Sequence, residues 1–229
     1  YGSYAAATAR KIPDQLSYAE AASVGSAYLT AYVSLVRRAN IQPGEWLLVH
    51  GAAGGVGLAA VDLGKHLGAK VISAASSDEK LRQVSEAYAT DALVNSSQGF
   101  REKVKDITGG GADVIYDPVG GDIFDESVRC IAFDGRLLVI GFASGRIPSI
   151  SVNMPLIKGF SVVGVRAGEY GRRFPERGRE NMEAVWRLVA DGAVKPHVHR
   201  IYALDDWRTA FSDMEERRVV GRVVIDPSR

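Results

Sequence analysis

The residues best suited to chemistry are seven consecutive positions, Gly51-Ala-Ala-Gly54-Gly55-Val56-Gly57, set between an apolar run and an amphipathic one. Glycine at 51, 54 and 57 leaves the main chain without Cβ atoms, so backbone N–H groups can close on a pyrophosphate. A helix opening at such a turn adds the positive end of its dipole. The run before it, Trp46-Leu-Leu-Val-His50, reads as a buried strand, and Gly57 to Leu67 reads as a helix stopped at Gly68. A second strand follows at Lys70–Ala75, which is the context a dinucleotide fingerprint requires. Gly57 is expected to let the helix pack closely on the strand. No Gly-Lys-Ser/Thr follows, so this is not a nucleoside-triphosphate loop, and no Gly-x-Ser-x-Gly elbow occurs.

The end of the second strand chooses between dinucleotides. An NAD site wants a carboxylate there for the ribose hydroxyls. The chain offers Ala74-Ala75-Ser76-Ser77, and its first acid is Asp78, already in the next helix. Small hydroxyls with a cation one turn on, Lys80, suit a 2′-phosphate, so NADP(H) is the expected cofactor. Ser76-Ser-Asp-Glu79 also reads as a capping box.

These residues need a scaffold, and the pattern supplies one. Further strand patterns fall at Ala92–Asn95, Asp113–Asp117, Arg136–Gly141 and Phe160–Val165. Helical patterns separate them at 79–88, 100–108 and 123–133. Alternation of this kind predicts an α/β fold, a Rossmann doubly wound six-stranded parallel sheet. Residues 1–27 are mixed, and after Val165 the rhythm stops. Amphipathic helices are expected at 181–190 and 207–214, with a terminal strand at Gly221–Ile225 that has no evident partner.

Bulk properties exclude several classes. Lys plus Arg is 28 against 27 for Asp plus Glu, so neither nucleic acid nor an anionic membrane is an expected partner. Arg166 to Arg179 is the one basic stretch. No apolar run reaches the ~18 residues of a membrane span. The lone Cys130 allows no intrachain disulfide, and a cytoplasmic protein is the expectation. The chain starts at Tyr1 and not Met, which suggests a fragment.

At these residues the chain resembles the medium-chain dehydrogenase/reductase family, in its zinc-independent quinone oxidoreductase branch. The matching stretches include Leu29-Thr-Ala-Tyr32, Val49-His-Gly-Ala-Ala-Gly-Gly-Val-Gly57, Ser76-Ser-Asp-Glu-Lys80, Tyr116-Asp-Pro-Val-Gly-Gly121 and Gly221-Arg-Val-Val224. The resemblance implies a GroES-like catalytic domain whose first part is missing, with Tyr1–Ala6 as its last strand. Residues 1–27 would be its remnant and linker, 28–165 the NADP-binding domain, and 166–229 the return to it. It implies Thr30 facing the nicotinamide, and Gly54, Gly55 and Val56 on the pyrophosphate. Ser76 and Lys80 would hold the 2′-phosphate, and Ser96 stands where relatives carry an adenine-stacking Tyr. Gly141, Phe142 and Ala143 would lie by the carboxamide and Arg222 near the phosphates.

No catalytic zinc is expected, since Gly25-Ser26-Ala27 has no Cys where zinc-bearing relatives place a ligand. His197 and His199 read as a surface pair. The implied reaction is hydride transfer from NADPH to a quinone or conjugated enone. Rival readings are an enoyl-thioester reductase and an NADPH-binding module without activity. A homodimer through the edge strand 160–165 is also implied. No Tyr-x-x-x-Lys occurs, so a short-chain dehydrogenase is excluded.

Overall fold

A computed structural model describes residues 9–229, so the strand expected at Tyr1–Ala6 lies outside the described residues. Six parallel strands make one sheet: β1 (Trp46–His50), β2 (Lys70–Ala75), β3 (Ala92–Asn95), β4 (Ala112–Asp117), β5 (Ile131–Val139) and β6 (Ser161–Gly164). Their order is β3-β2-β1-β4-β5-β6, so the winding reverses between β1 and β4. In such a sheet a crevice opens there, at the carboxyl ends of the strands. The expected doubly wound fold is what forms.

Among the described residues, the sheet is accompanied by helices α1 (Tyr18–Tyr32), α2 (Gly55–His66), α3 (Asp78–Tyr88), α4 (Arg101–Thr108), α5 (Gly121–Ser127), α6 (Asn153–Lys158), α7 (Ala167–Arg173) and α8 (Pro175–Ala190). Period-2 alternation sorts each strand's side chains between two layers. Leu47 and Val49 of β1 pack with Val24, Leu58, Val61 and Val185 from α1, α2 and α8. Leu48, between them in sequence, packs on the opposite face with Phe100, Val104 and Phe124. Each such fully buried side chain contributes about 1.5–3 kcal/mol. Helix α2 lies close enough to β1 that a Cβ on Gly64 would stand 2.5 Å from Leu47 Cδ2. The close packing expected of Gly57, which meets the Gly51 carbonyl, is continued by Gly64 about two turns on along the same helical face.

The structure redraws several sequence boundaries. Helix α1 falls where the sequence reads as mixed. Its signal is a capping box: Ser17 Oγ accepts from Glu20 N (3.2 Å) and the Glu20 carboxylate accepts from Ser17 N (2.8 Å). The boundary expected after residue 27 falls inside this helix, whose Val24, Ala27, Tyr28 and Ala31 all join the core on that face of the sheet. The helix expected over 123–133 stops at Ser127, and β5 begins at Ile131. Extra residues in β5 are absorbed where the register with β4 shifts between Ala112↔Ile131 and Val114↔Arg136. Asp134 there adopts a left-handed φ of 61°. Helix α8 starts six residues before the expected 181, with Pro175 at its first position, where a missing N–H costs nothing.

The terminal strand does have a partner. It is β8 (Arg222–Asp226), paired in parallel with β7 (Val198–Ala203) in a separate two-stranded sheet. Helix α9 (Trp207–Glu215) connects them. The sequence does not mark the pairing, because β7 begins at Val198 between the two histidines, with no alternating apolar run. A buried carboxylate ties this lobe down: Asp62 on α2 accepts from Tyr28 Oη (2.5 Å) and from Lys195 N (2.7 Å). Tyr88 Oη donates to Lys195 O (2.7 Å).

Filling the α2–β1 contact tests this packing. Gly64→Val is expected to lower stability by roughly 1–3 kcal/mol through overpacking, despite valine's better helix propensity. Chemical denaturation measures it, and an unchanged midpoint would contradict the contact.

Candidate functional site: a cleft at the switch point

The turn after β1 is built from backbone against backbone. Gly51 has φ +58°, and a Cβ on Gly57 would stand 2.2 Å from Gly51 O. No side chain fits there. Gly54 caps α2, and the helix's own ladder begins with Leu58 N donating to Gly54 O (2.7 Å). The N–H groups of Gly55, Val56 and Gly57 precede that first bond and have no partner inside the helix. They open on a cleft of about 580 Å³ at the reversal point.

Seven of the residues expected from the sequence line this cleft: Gly54, Gly55, Val56, Ser76, Lys80, Ser96 and Ala143. Ser76 follows the last residue of β2 and is free to face the cleft because the helix cap is its neighbour: Ser77 Oγ accepts from Lys80 N at 3.4 Å. The capping box expected from Ser76 and Glu79 does not form; the cap is Ser77 alone, since Lys80 at the third helical position has no acceptor to return the bond. Glu79 pairs instead with Arg82, as its i,i+3 spacing on an exposed face allows. Lys80 is half-buried, and its Nζ donates to Val219 O (3.1 Å). Burial, and then the nearby Arg217 guanidinium, pull the Lys80 ammonium below its usual range.

Arg222 stands beside the turn and not in the cleft wall. A Cβ on Gly55 would meet its Nε at 2.6 Å. That Nε is buried without an acceptor, while Nη2 donates to Ser26 Oγ (3.3 Å). Gly141 and Phe142 stand behind Ala143, packed on the turn after β4. A Cβ on Gly141 would be 3.3 Å from Pro118 O, and one on Gly120 would be 3.0 Å from Phe142 Cδ1. Thr30 is half-buried on α1 and donates to Ser26 O (2.7 Å), turned into its own helix. These four expected residues do not line the cleft.

Sequence reading missed several lining residues, chiefly Arg217, His50, Pro118, Val119 and Ser144. Arg217 carried no signal, since it lies in a run of charges, Glu215-Glu-Arg-Arg218, that reads as a solvated surface. Tyr116 and Asp117, at the carboxyl end of β4, are buried and do not line the cleft. Tyr116 is wholly buried, and Asp117 accepts from the N–H groups of Val119 (2.8 Å) and Gly120 (2.9 Å). Burial raises the Asp117 carboxyl above its usual value. Cys130 is a buried free thiol pushed up to about 12, first by burial, so it is unreactive. Among the described residues, no group of three or more His, Cys, Asp and Glu could hold a metal.

With this geometry in view, comparison decides the family. A family model described as zinc-binding dehydrogenase matches residues 55–191, well over half of the chain. The chain belongs to that family. The quinone oxidoreductase-like protein 2 homolog of Nematostella vectensis is 41% identical over 219 residues, 94% of this chain and 60% of its own length. Among solved structures, mycobacterial Rv1454c complexed with NADPH superposes with a TM-score of 0.86 at 31% identity, covering 95% of this chain and 67% of that one. The CurK enoyl reductase gives a TM-score of 0.81 at 28% identity, covering 93% and 64%. The chain thus spans about three fifths of the Nematostella relative it matches. The resemblance to the medium-chain dehydrogenase/reductase family and its quinone oxidoreductase branch, read from the motifs, holds.

His50 at the end of β1 is the buried titratable group lining this cleft. Ser127 Oγ donates to Ile123 O (2.7 Å), so it accepts from His50 Nε2–H across 2.9 Å, and the ring is neutral. Burial pushes its pKa down to about 3. The unfolded chain binds this proton near pH 6.5 and the folded chain does not. Stability from His50 is therefore full above about pH 6.5 and drains away as pH falls toward 3, by about 1.4 kcal/mol per pH unit. His50→Gln should flatten that acid limb in denaturation curves collected from pH 7 to 4. Parallel curves for the two proteins would refute the assignment.

Proposed function

We propose that the cleft holds NADPH, and that this chain is the cofactor-binding part of a zinc-independent reductase. The reductase passes hydride to a quinone or a conjugated enone. One observation carries the reading: Ser76 and Lys80 stand at the end of β2, and no Asp or Glu is among the residues lining the cleft. An NAD site would need a carboxylate there. The turn also fits the ligand physically, since its Cβ-free backbone and the orphaned Arg222 Nε both favour phosphate.

In this reading the turn at Gly54 and the N–H groups of Gly55 and Val56 hold the pyrophosphate, with Arg222 beside them, the Gly54 N–H itself being donated to Gly51 O (2.8 Å). Ser76 and Lys80 take the 2′-phosphate, and Ser96 borders the adenine. Thr30, Gly141, Phe142 and Ala143 belong to the nicotinamide end. Bound NADPH would supply the hydride, and the chain's own residues orient it and keep water out. Zinc independence rests on Gly25-Ser26-Ala27, where Ser26 Oγ serves Arg222 and no Cys is present.

The acceptor pocket would be completed by a catalytic domain to which residues 166–229 return, the β7–β8 sheet standing apart from the cofactor sheet. The likeness to the CurK enoyl reductase favours a second reading, reduction of an enoyl thioester. A chain that binds NADPH and reduces nothing would be a cofactor module. A cytoplasmic setting is part of the proposal, in keeping with the single free thiol.

A homodimer through β6 belongs to the same reading. Ser161, Val162 and Gly164 are exposed on the last strand of the sheet, and unpaired apolar edges seek partners. Light scattering should report a dimer, and Val162→Lys a monomer; a monomeric parent protein would refute it.

Fluorescence titration tests the cofactor. NADPH is expected to bind more tightly than NADH, and Lys80→Ala to cost NADPH about tenfold or more with NADH unchanged. Assays with a quinone, an enone and an enoyl thioester then separate the acceptors. Equal affinity for both dinucleotides would sink the proposal.

A further inference from the structure

A second cavity, of about 560 Å³, shares no lining residue with the cofactor cleft. One wall is Leu29 of α1 with Ala167 of α7. Leu29 precedes Thr30, and Ala167 lies three residues past the end of β6, so the cavity meets the carboxyl edge of the sheet, where ligands of such folds bind. Another wall is main chain. A Cβ on Gly178 of α8 would stand 2.8 Å from Gly171 Cα of α7, and one on Gly168 would meet nothing within 4 Å. Asn181 stands in the same wall and is 1% exposed. Its Oδ1 accepts from Arg37 Nε (2.7 Å), and Arg37 does not line the cavity. The carbonyl end of the amide is therefore turned away, and the amino end, Nδ2, is left on the cavity side, buried without an acceptor. A buried donor in that condition is rare.

The cavity does not end there. A hollow of about 380 Å³ continues it along α8 through the shared residues Arg10 and Glu183, as far as Trp186, Arg187 and Ala190. From Gly178 to Ala190 the helix rises roughly 18 Å. This groove carries Arg10, Lys11, Arg179 and Arg187 against one carboxylate, Glu183. Lys11 is taken by Asp14 (3.0 Å), and Glu180, the acid beside Arg179, by Arg37 (3.0 Å). Among the described residues the three groove arginines make no ion pair, so cations exceed acids along its length. We propose that the groove is an acceptor subsite, in which Arg10, Arg179 and Arg187 hold an anionic tail of the substrate, a carboxylate or a phosphate, well away from the carbon that receives hydride. A guanidinium suits either anion through its paired donors. Acceptors with a charged tail, as enones or as thioesters of phosphorylated carriers, are then preferred to neutral quinones and enones. The inference rests on the reductase reading and narrows its acceptor.

Calorimetric titration of the protein saturated with NADP⁺ tests it, since no turnover then intervenes. An enone with a carboxylate at the end of a medium-length alkyl chain is compared with its methyl ester, and crotonyl-CoA with crotonyl-pantetheine. In at least one pair the anionic member is expected to bind about tenfold or more tightly, and the pair that responds tells carboxylate from phosphate. Arg10→Gln and Arg179→Gln should each bring that member down toward its neutral partner with the denaturation midpoint unchanged, and Glu183→Gln should strengthen it. Equal affinities within both pairs would overturn the subsite, as would a preference that survives both arginine substitutions. NADPH binding with neither pair discriminated would leave the reductase reading standing without the subsite. Failure to bind NADPH would remove that reading and the subsite with it.

Discussion

Everything around the cleft depends on one backbone contact. The carbonyl of Gly51 lies where a side chain at residue 57 would have to be. Only a chain without Cβ at 57 lets α2 begin directly over the end of β1, with its first N–H groups presented to the cleft. From that contact follow the helix direction, the seat of Leu58 and Val61 in the core and the floor of the site. A second close approach, Gly64 on Leu47, holds the helix flat along the strand it has just left. The glycines therefore serve packing and binding at once, and neither role can be altered without the other.

Charge gives the cleft its direction. Its floor offers N–H groups and a helix dipole, its β2 side a hydroxyl and an ammonium, and its far wall a guanidinium. No lining carboxylate balances them. Such a surface is costly when empty and favourable with a polyanion seated, which suits phosphates better than a neutral ligand. The neutral His50 beneath, committed to Ser127, adds no charge of its own.

Much of this was legible in the linear chain because its causes are local. Strand–glycine–helix order, the acid-free end of β2 and the alternation of apolar runs depend on residues within a few positions of one another. Errors cluster where distance along the chain matters. The Ser76 cap moved to Ser77 because either hydroxyl satisfies the pattern, and only the backbone path selects one. Helix α1 has little apolar periodicity to announce it, and its local signal is the cap that Ser17 and Glu20 form. Strand β7 escaped because a short parallel pair is defined by its partner more than by its own sequence.

The sequence by itself determined the sheet, the turn and the kind of ligand the turn admits, since each follows from period-2 burial and from the absence of side chains at fixed spacing. Tertiary structure decided which of the expected residues share one cleft. It turned Thr30 into its own helix, set Gly141 and Phe142 behind Ala143, and brought Arg217 across from the second sheet to face Lys80. The reason is physical: a charge gains or loses its meaning from neighbours that are far away in the chain. Arg217 and Arg218 are indistinguishable in a run of charged residues, and only folding leaves one paired and the other facing the site.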